Sequence, residues 1–214
     1  MTGAVLAGGD STRMGTNKAL LPFGGVRIIE GIIRKIRPLF AETLIVANEP
    51  DPYAYLGVPI CPDQVRGKGP LGGIYSAVLH SASPQTFCVA CDMPLLNPVV
   101  VAYLRDTAVG YDVVVPRTPD GYQPLHAIYS KACLAHIASM ICNNRLKIDQ
   151  LFSAVRVRVV TAEELRPMDS VLGCFININT REELEAAARL AAGGKDDIRQ
   201  RQGQRGPFDH SGCE

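Results

Sequence analysis

Near its amino terminus the chain reads Leu6-Ala7-Gly8-Gly9-Asp10-Ser11-Thr12-Arg13-Met14-Gly15-Thr16-Asn17-Lys18. Paired glycines let main-chain N–H groups approach an anion closely, and Arg13 and Lys18 add positive charge. Together they suit a polyphosphate. The spacing is not that of a Walker A loop, because Lys18 stands three residues after Gly15 rather than next to a glycine. Nor is it Gly-x-Gly-x-x-Gly. The alternative is a glycine-rich loop carrying two solvated cations.

Three further segments carry chemistry. Cys91-Asp92-Met93-Pro94 follows the apolar run 87–90. A bare carboxylate among phosphates would repel them, so Asp92 makes sense there as a ligand of Mg²⁺, which takes oxygen donors. The alternative is an Asp that shapes a turn ahead of proline. Gly67-Lys68-Gly69-Pro70-Leu71-Gly72-Gly73 is dense enough in Gly and Pro to fix a rigid turn against which a flat base could lie. In Asn177-Ile178-Asn179 a strand would place both asparagines on one face and Ile176 and Ile178 on the other. Local hydrogen bonding at a strand end explains the same pair equally well. His80, His126, His136 and His210 have no triad-like setting.

The elements that must position these groups alternate in period. Short apolar runs at 4–7, 44–47, 58–61, 87–90, 113–115, 127–129, 155–160 and 175–179 read as strands. Ile29, Ile32, Ile33, Ile36 and Leu39 share a face of a helix over 28–39. Further helices are expected at 73–80, from the Asn97-Pro98 cap, from Ser130 to about Met140, and from a capping box at Thr180–Glu183 to Ala192. Strands alternating with helices imply a mostly parallel sheet in an α/β domain, with ligands at the carboxyl ends of strands where the order reverses. The loops after the first and fourth strands are therefore where a site is expected.

Length and composition fit one globular domain over 1–192. The chain has 214 residues, 47% of them hydrophobic, and a formal net charge of +1. The charge gives no reason to expect nucleic acid or a membrane surface as a partner. The longest apolar runs are too short to span a bilayer. No basic region precedes the first apolar run, so a secretory signal is not expected. Seven cysteines, odd in number and scattered, fit a reducing, cytoplasmic setting. Cys88 and Cys91 lie three apart on or just past a strand and should face opposite sides. Residues 193–214 are polar, rich in Gly, Arg and Gln, and read as a disordered tail.

The ordered set of motifs resembles the molybdenum cofactor guanylyltransferase family. It comprises Leu-Ala-Gly-Gly-x-Ser-x-Arg-Met-Gly-x-x-Lys, Gly-Pro-Leu-Gly-Gly, Cys-Asp-Met-Pro, Gln123-Pro124-Leu125-His126-Ala127-x-Tyr129 and Asn177-Ile-Asn179-Thr180. The likeness runs from Ala4 to about Leu190. It implies a Rossmann-like three-layer α/β/α nucleotidyltransferase that joins GMP from GTP to molybdopterin, with Mg²⁺, and releases pyrophosphate. By the same resemblance Leu6, Ala7, Gly8, Gly9, Ser11, Arg13, Gly15 and Lys18 belong to the nucleotide site. Asn48, Asp63, Gly69, Pro70, Leu71 and Gly72 would surround the guanosine. Asp92 would hold the metal, and Gln123, Asn177 and Asn179 would lie toward the acceptor. Arg13, Lys18 and Asp92 would be the catalytic groups. Molybdenum cofactor assembly proteins and molybdoenzymes become candidate partners.

Two other readings stay open. A cytidylyltransferase acting on the same pterin would share the loop and the Asp, although Leu6-Ala7-Gly8-Gly9 and Arg13-Met14-Gly15 favour the guanylyl branch. A non-catalytic nucleotide-binding protein could also be built on this scaffold. A sugar-phosphate nucleotidyltransferase would be longer and usually has Pro before the loop lysine, where this chain has Asn17.

Overall fold

A computed structural model describes residues 1–8 and 17–193. Gly9, Ser11, Arg13 and Gly15 lie outside the described residues, as does the tail expected to be disordered, from residue 194 onward.

The elements run β1 (Thr2–Leu6), β2 (Pro22–Phe23), β3 (Val26–Arg27), α1 (Ile28–Ile36), β4 (Glu42–Val46), β5 (Ile60–Cys61), α2 (Gly69–His80) and β6 (Gln85–Ala90). They continue with α3 (Pro98–Asp106), β7 (Val113–Thr118), β8 (Gly121–Tyr122), β9 (His126–Ser130), α4 (Cys133–Cys142), β10 (Val157–Thr161), α5 (Ala162–Leu165) and α6 (Arg181–Ala191). The main sheet has the order β10-β7-β9-β6-β1-β4-β5, with β8 paired to β7. The β1–β4, β1–β6, β4–β5 and β7–β10 pairs are parallel, while β9 runs antiparallel to both β6 and β7. The sheet is thus mostly parallel, as expected.

Helices cover both faces because the strands are apolar on both. In β1, Val5 enters one core with α1, α3 and α5, while Ala4 and Leu6 enter the other with α2 and α4. On α1 the buried residues are Ile28, Ile29, Ile32, Ile33 and Ile36, a stripe at helical spacing. That helix was expected to reach Leu39. It ends at Ile36 and tightens into a 3₁₀ turn over Arg37–Leu39, because Pro38 has no N–H to continue the ladder. Gly3 is required by a close approach: a Cβ there would lie 2.7 Å from the Phe40 ring, which stacks on Phe87 at 5.5 Å.

Cys88 packs in the α2–α4 core and Cys91 against the opposite one, so the pair does face opposite sides. Both are free thiols. Burial pushes the Cys91 thiol up to about 12, which leaves it inert as a nucleophile.

Three expectations need correction. Residues 175–179 do not form a strand. Gly173–Phe175 is a 3₁₀ turn, and the Ile178 N–H donates to the carbonyl of Asp92 at 2.9 Å. Both edges of β6 are already taken by β1 and β9, so this segment crosses the end of the sheet. Ser130 does not cap a helix. It ends β9, and α4 begins at Cys133 with Ala132 before it. Gly69–Gly72 is not a rigid turn ahead of a helix but the first turn of α2 itself.

At the opposite sheet edge Arg156, just before β10, closes a two-pronged ion pair on Asp112 at 3.0 Å. These bonds hold the Asp112 carboxyl down at about 2, below the ordinary ~3.9. Ionised Asp112 therefore stabilises the fold above ~4, and the contribution is lost as pH falls through about 2. Asp112→Asn is expected to melt at a lower temperature than wild type at neutral pH, with the gap closing below pH ~4. Thermal melts across that range check this. A gap unchanged at low pH would contradict it.

Candidate nucleotide and metal site

The strand order reverses around β1, and three chain segments leave the sheet at the same edge there. Ala7 N–H donates to the Val46 carbonyl at 2.9 Å, Cys91 N–H to the Leu6 carbonyl at 3.1 Å, and Ala90 N–H to the Leu125 carbonyl at 3.0 Å. The ends of β1, β4 and β6 and the start of β9 are thus laced side by side. This is the switch-point crevice where open α/β sheets bind ligands. The first turn of α2 closes over it: a Cβ on Gly73 would lie 3.6 Å from Leu6 Cδ1.

Lys18, Asp92 and the asparagine segment meet at this edge. Lys18 opens a short 3₁₀ helix, Lys18–Leu20, capped by the Asn17 side chain on Ala19 N–H. Its Nζ donates to Asn179 Oδ1 at 3.1 Å. The main-chain bond from Ile178 to Asp92 anchors the asparagine segment from the middle. The capping box of α6 anchors it from the end, with Glu183 Oε2 accepting from Asn179 N–H at 2.6 Å and Thr180 N–H at 3.1 Å. Asp92 Oδ1 and Asn177 Oδ1 are both buried without a hydrogen-bond partner. Burial raises the Asp92 carboxyl above the ordinary aspartate value, and the Lys18 charge opposes that rise.

The two asparagines therefore differ, which a shared strand face would not allow. Asn179 is engaged with Lys18, and Asn177 turns its oxygen inward. Buried oxygens without partners are costly unless something else satisfies them. A carboxylate oxygen and an amide oxygen left in this way are of the type a hard cation takes. Among the described residues no group of three or more His, Cys, Asp or Glu is placed to hold a metal. Magnesium fits such a sparse site because it usually binds one or two protein ligands and completes its shell with phosphate and water.

On the other side of β1, Asn48 and Asp63 come together. Asn48 Oδ1 accepts from Asp63 N–H at 3.2 Å. Asp63 Oδ1 accepts from Val65 N–H at 3.1 Å and from Ser76 Oγ at 2.8 Å. These bonds pin the loop ahead of α2 to the helix. Gly72 sits where a Cβ would be 3.0 Å from the Val65 carbonyl oxygen, so the loop and helix approach too closely for a side chain. Leu71 is fully buried and can present only main chain to a ligand. Gln123 spends its amide on Thr118 Oγ1 at 3.0 Å. A groove of 480 Å³ between Leu95–Pro98 and Met168–Val171 opens nearby, but Lys18, Asp92, Asn177 and Asn179 do not line it.

His126 has no catalytic setting. Its two ring nitrogens are buried without partners, and the ring lies edge-on to Phe87 and Phe175 at 5.2 and 4.9 Å. Burial pushes it down to about 3, so it is neutral and packs as core. Tyr53, and Asn17 beyond its place before Lys18, were not expected as site residues, yet both lie at this edge. Asn17 Nδ2 donates to the Tyr53 hydroxyl at 2.8 Å. Their only local signal is an aromatic residue inside the polar, proline-containing stretch Glu49–Tyr53.

Several known proteins are similar to this chain. The family model for the MobA-like NTP transferase domain matches residues 3–159. A protein of Pelotomaculum thermopropionicum named "Probable molybdenum cofactor guanylyltransferase" is 37% identical over 190 residues, covering 89% of this chain and 93% of its own. The molybdenum cofactor guanylyltransferase of Desulfosudis oleivorans is 34% identical over 197 residues, covering 91% of this chain and 98% of its own. Among solved structures, molybdopterin-guanine dinucleotide biosynthesis protein A from Archaeoglobus fulgidus superposes with a TM-score of 0.77 at 28% identity, covering 90% of this chain and 99% of that one. Among the described residues no helix is long and apolar enough to cross a membrane.

Proposed function

The chain belongs to the MobA-like NTP transferase family, and we propose that it transfers GMP from GTP to molybdopterin, forming a guanine dinucleotide and releasing pyrophosphate. The single observation that supports the site is the pair of buried, partnerless oxygens of Asp92 and Asn177 at the edge where Lys18 reaches Asn179. Asp92 and Asn177 would hold Mg²⁺. Bound there, the ion would polarise the α-phosphoryl oxygens and offset charge on the departing pyrophosphate.

The remaining work falls to the chain. Lys18, fixed by Asn179, would neutralise the triphosphate, and Arg13 in the loop would add a second cation. The main chain of Leu6, Ala7, Gly8 and Gly9, with Ser11 and Gly15, would line the nucleotide. Asn48, Asp63 and the Gly69–Gly72 turn of α2 would border the guanosine, with Gln123 toward the acceptor. A phosphate monoester has a second pKa near ~6 and is a nucleophile at neutral pH. Its oxygen would bond to the α-phosphorus as the α–β bridge bond breaks. No general base is required, so catalysis would be positioning and electrostatic stabilisation.

Calorimetry with GTP, CTP and ATP, each with Mg²⁺, tests the nucleotide. A site whose polar groups match one base leaves them unpaired against another. GTP is therefore expected to bind at least ~10²-fold more tightly than CTP. Equal binding would favour a cytidylyltransferase.

A further inference from the structure

We infer that Tyr53 is a positioning residue that ties Asn17 to the end of β1 at Ala7 and so fixes Lys18 for the nucleotide. The inference rests on the reading of Lys18 as a partner of the polyphosphate. Tyr53 lies in the 3₁₀ segment Asp51–Leu56, between β4 and β5, and is almost wholly buried, at 2% exposure. Its hydroxyl accepts from Asn17 Nδ2 at 2.8 Å and donates to the carbonyl of Ala7 at 3.5 Å. Ala7 is the first residue after β1, and Asn17 immediately precedes Lys18. One hydroxyl therefore joins Ala7 to Asn17, sending its own proton one way and receiving one from the other.

Asn17 carries the constraint to the lysine. While its nitrogen donates to Tyr53, its oxygen accepts from Ala19 N–H at 3.1 Å and caps the short helix on which Lys18 stands. Both ends of the Asn17 amide are thus committed, and the Lys18 backbone is held between them. Lys18 Nζ is in turn held by Asn179. Burial raises the Tyr53 hydroxyl above the ordinary tyrosine value, which keeps it protonated and able to donate.

The segment that carries Tyr53 is tied to a neighbouring helix. Two residues along, the Tyr55 hydroxyl donates to Glu30 Oε1 at 2.7 Å, and the Arg27 guanidinium lies 4.9 Å from the Tyr55 ring centre. The 51–56 segment is thus fastened to the start of α1. A residue held in place before the ligand arrives lowers the conformational freedom that binding must remove. A lysine set in advance gives its full electrostatic effect without reorganisation.

Tyr53→Phe keeps the ring and its packing but removes the shared hydroxyl. Asn17→Ser keeps a cap oxygen for Ala19 and removes the amide donor. Each variant is expected to weaken Mg-GTP binding about tenfold, the size of one lost hydrogen bond, and to leave guanosine binding unchanged. Together they should lose no more than either alone, because they break one link. Lys18→Ala is measured beside them by the same calorimetry, with guanosine affinity reporting that the nucleoside pocket is intact. Loss of GTP affinity in Lys18→Ala but not in Tyr53→Phe overturns the role of Tyr53 and leaves the polyphosphate site standing. No loss in Lys18→Ala overturns both. Equal losses for guanosine and GTP in Tyr53→Phe, or additive losses in the double variant, would make Tyr53 a general packing residue and overturn the inference.

Discussion

Asp92→Asn is expected to cut turnover by on the order of 10³-fold, about 4 kcal/mol of transition-state stabilisation, without lowering the melting temperature. Two opposite consequences of one charge lead to this. In the ligand-free fold the Asp92 carboxylate is a burden. Burial raises its pKa, with the Lys18 charge and a main-chain hydrogen bond in partial opposition, and one oxygen has no partner. A group whose folded pKa is raised stabilises the fold only once protonated, so the ionised form at neutral pH opposes folding. Asparagine has the same shape and no charge to desolvate, so the variant should be at least as stable as wild type. With a triphosphate in the crevice the balance would reverse, because the carboxylate would give a divalent cation an anionic ligand beside the phosphates. Steady-state rates and thermal melts on the same preparation check both halves. Turnover within roughly tenfold of wild type, a loss of only ~1.4 kcal/mol, would place the metal on other ligands.

Lys18→Ala is expected to weaken Mg-GTP binding by about 10²-fold, as the loss of a charge-assisted contact implies, while guanosine affinity stays unchanged. The lysine acts on charge rather than shape. It lies close enough to Asp92 to pull down its pKa, and Asn179 fixes its ammonium group. Removing it would take away one favourable partner of the phosphates and leave the Asp92 carboxylate less compensated. The base and ribose lose nothing, because Asn48, Asp63 and the first turn of α2 form a separate hydrogen-bonded unit on the other side of β1. Equal losses for guanosine and GTP in calorimetry would place Lys18 outside the phosphate site.

What the sequence made legible was local. The Asn97 side chain does cap α3, accepting from Val99 N–H at 2.9 Å, and the Thr180–Glu183 capping box does open α6. Both signals lie within one helical turn. The switch-point edge followed from alternating strands and helices, and it brought Lys18, Asp92 and Asn179 together from three distant stretches of chain. The misread elements depended on what surrounds them. Residues 175–179 carry enough apolar character for a strand, but both edges of β6 are already taken, and the Ile178 N–H donates to the Asp92 carbonyl instead. The antiparallel course of β9 comes from pairing with β6 and β7 across the sheet, which no local pattern encodes. Tyr53 was illegible for a related reason. Its importance comes from meeting Asn17, 36 residues away, and nothing in the residues beside it marks that contact.

The most direct test is competition for the acceptor. The protein is incubated with molybdopterin bearing molybdenum, Mg²⁺ and equal concentrations of GTP, CTP and ATP. The dinucleotide product is then identified by mass spectrometry and pyrophosphate is counted. The guanine dinucleotide is expected as the dominant product, with one pyrophosphate released for each molecule formed and none released when molybdopterin is omitted. A cytosine dinucleotide as the main product, or pyrophosphate release that does not depend on the pterin, would contradict guanylyl transfer as the activity of this site.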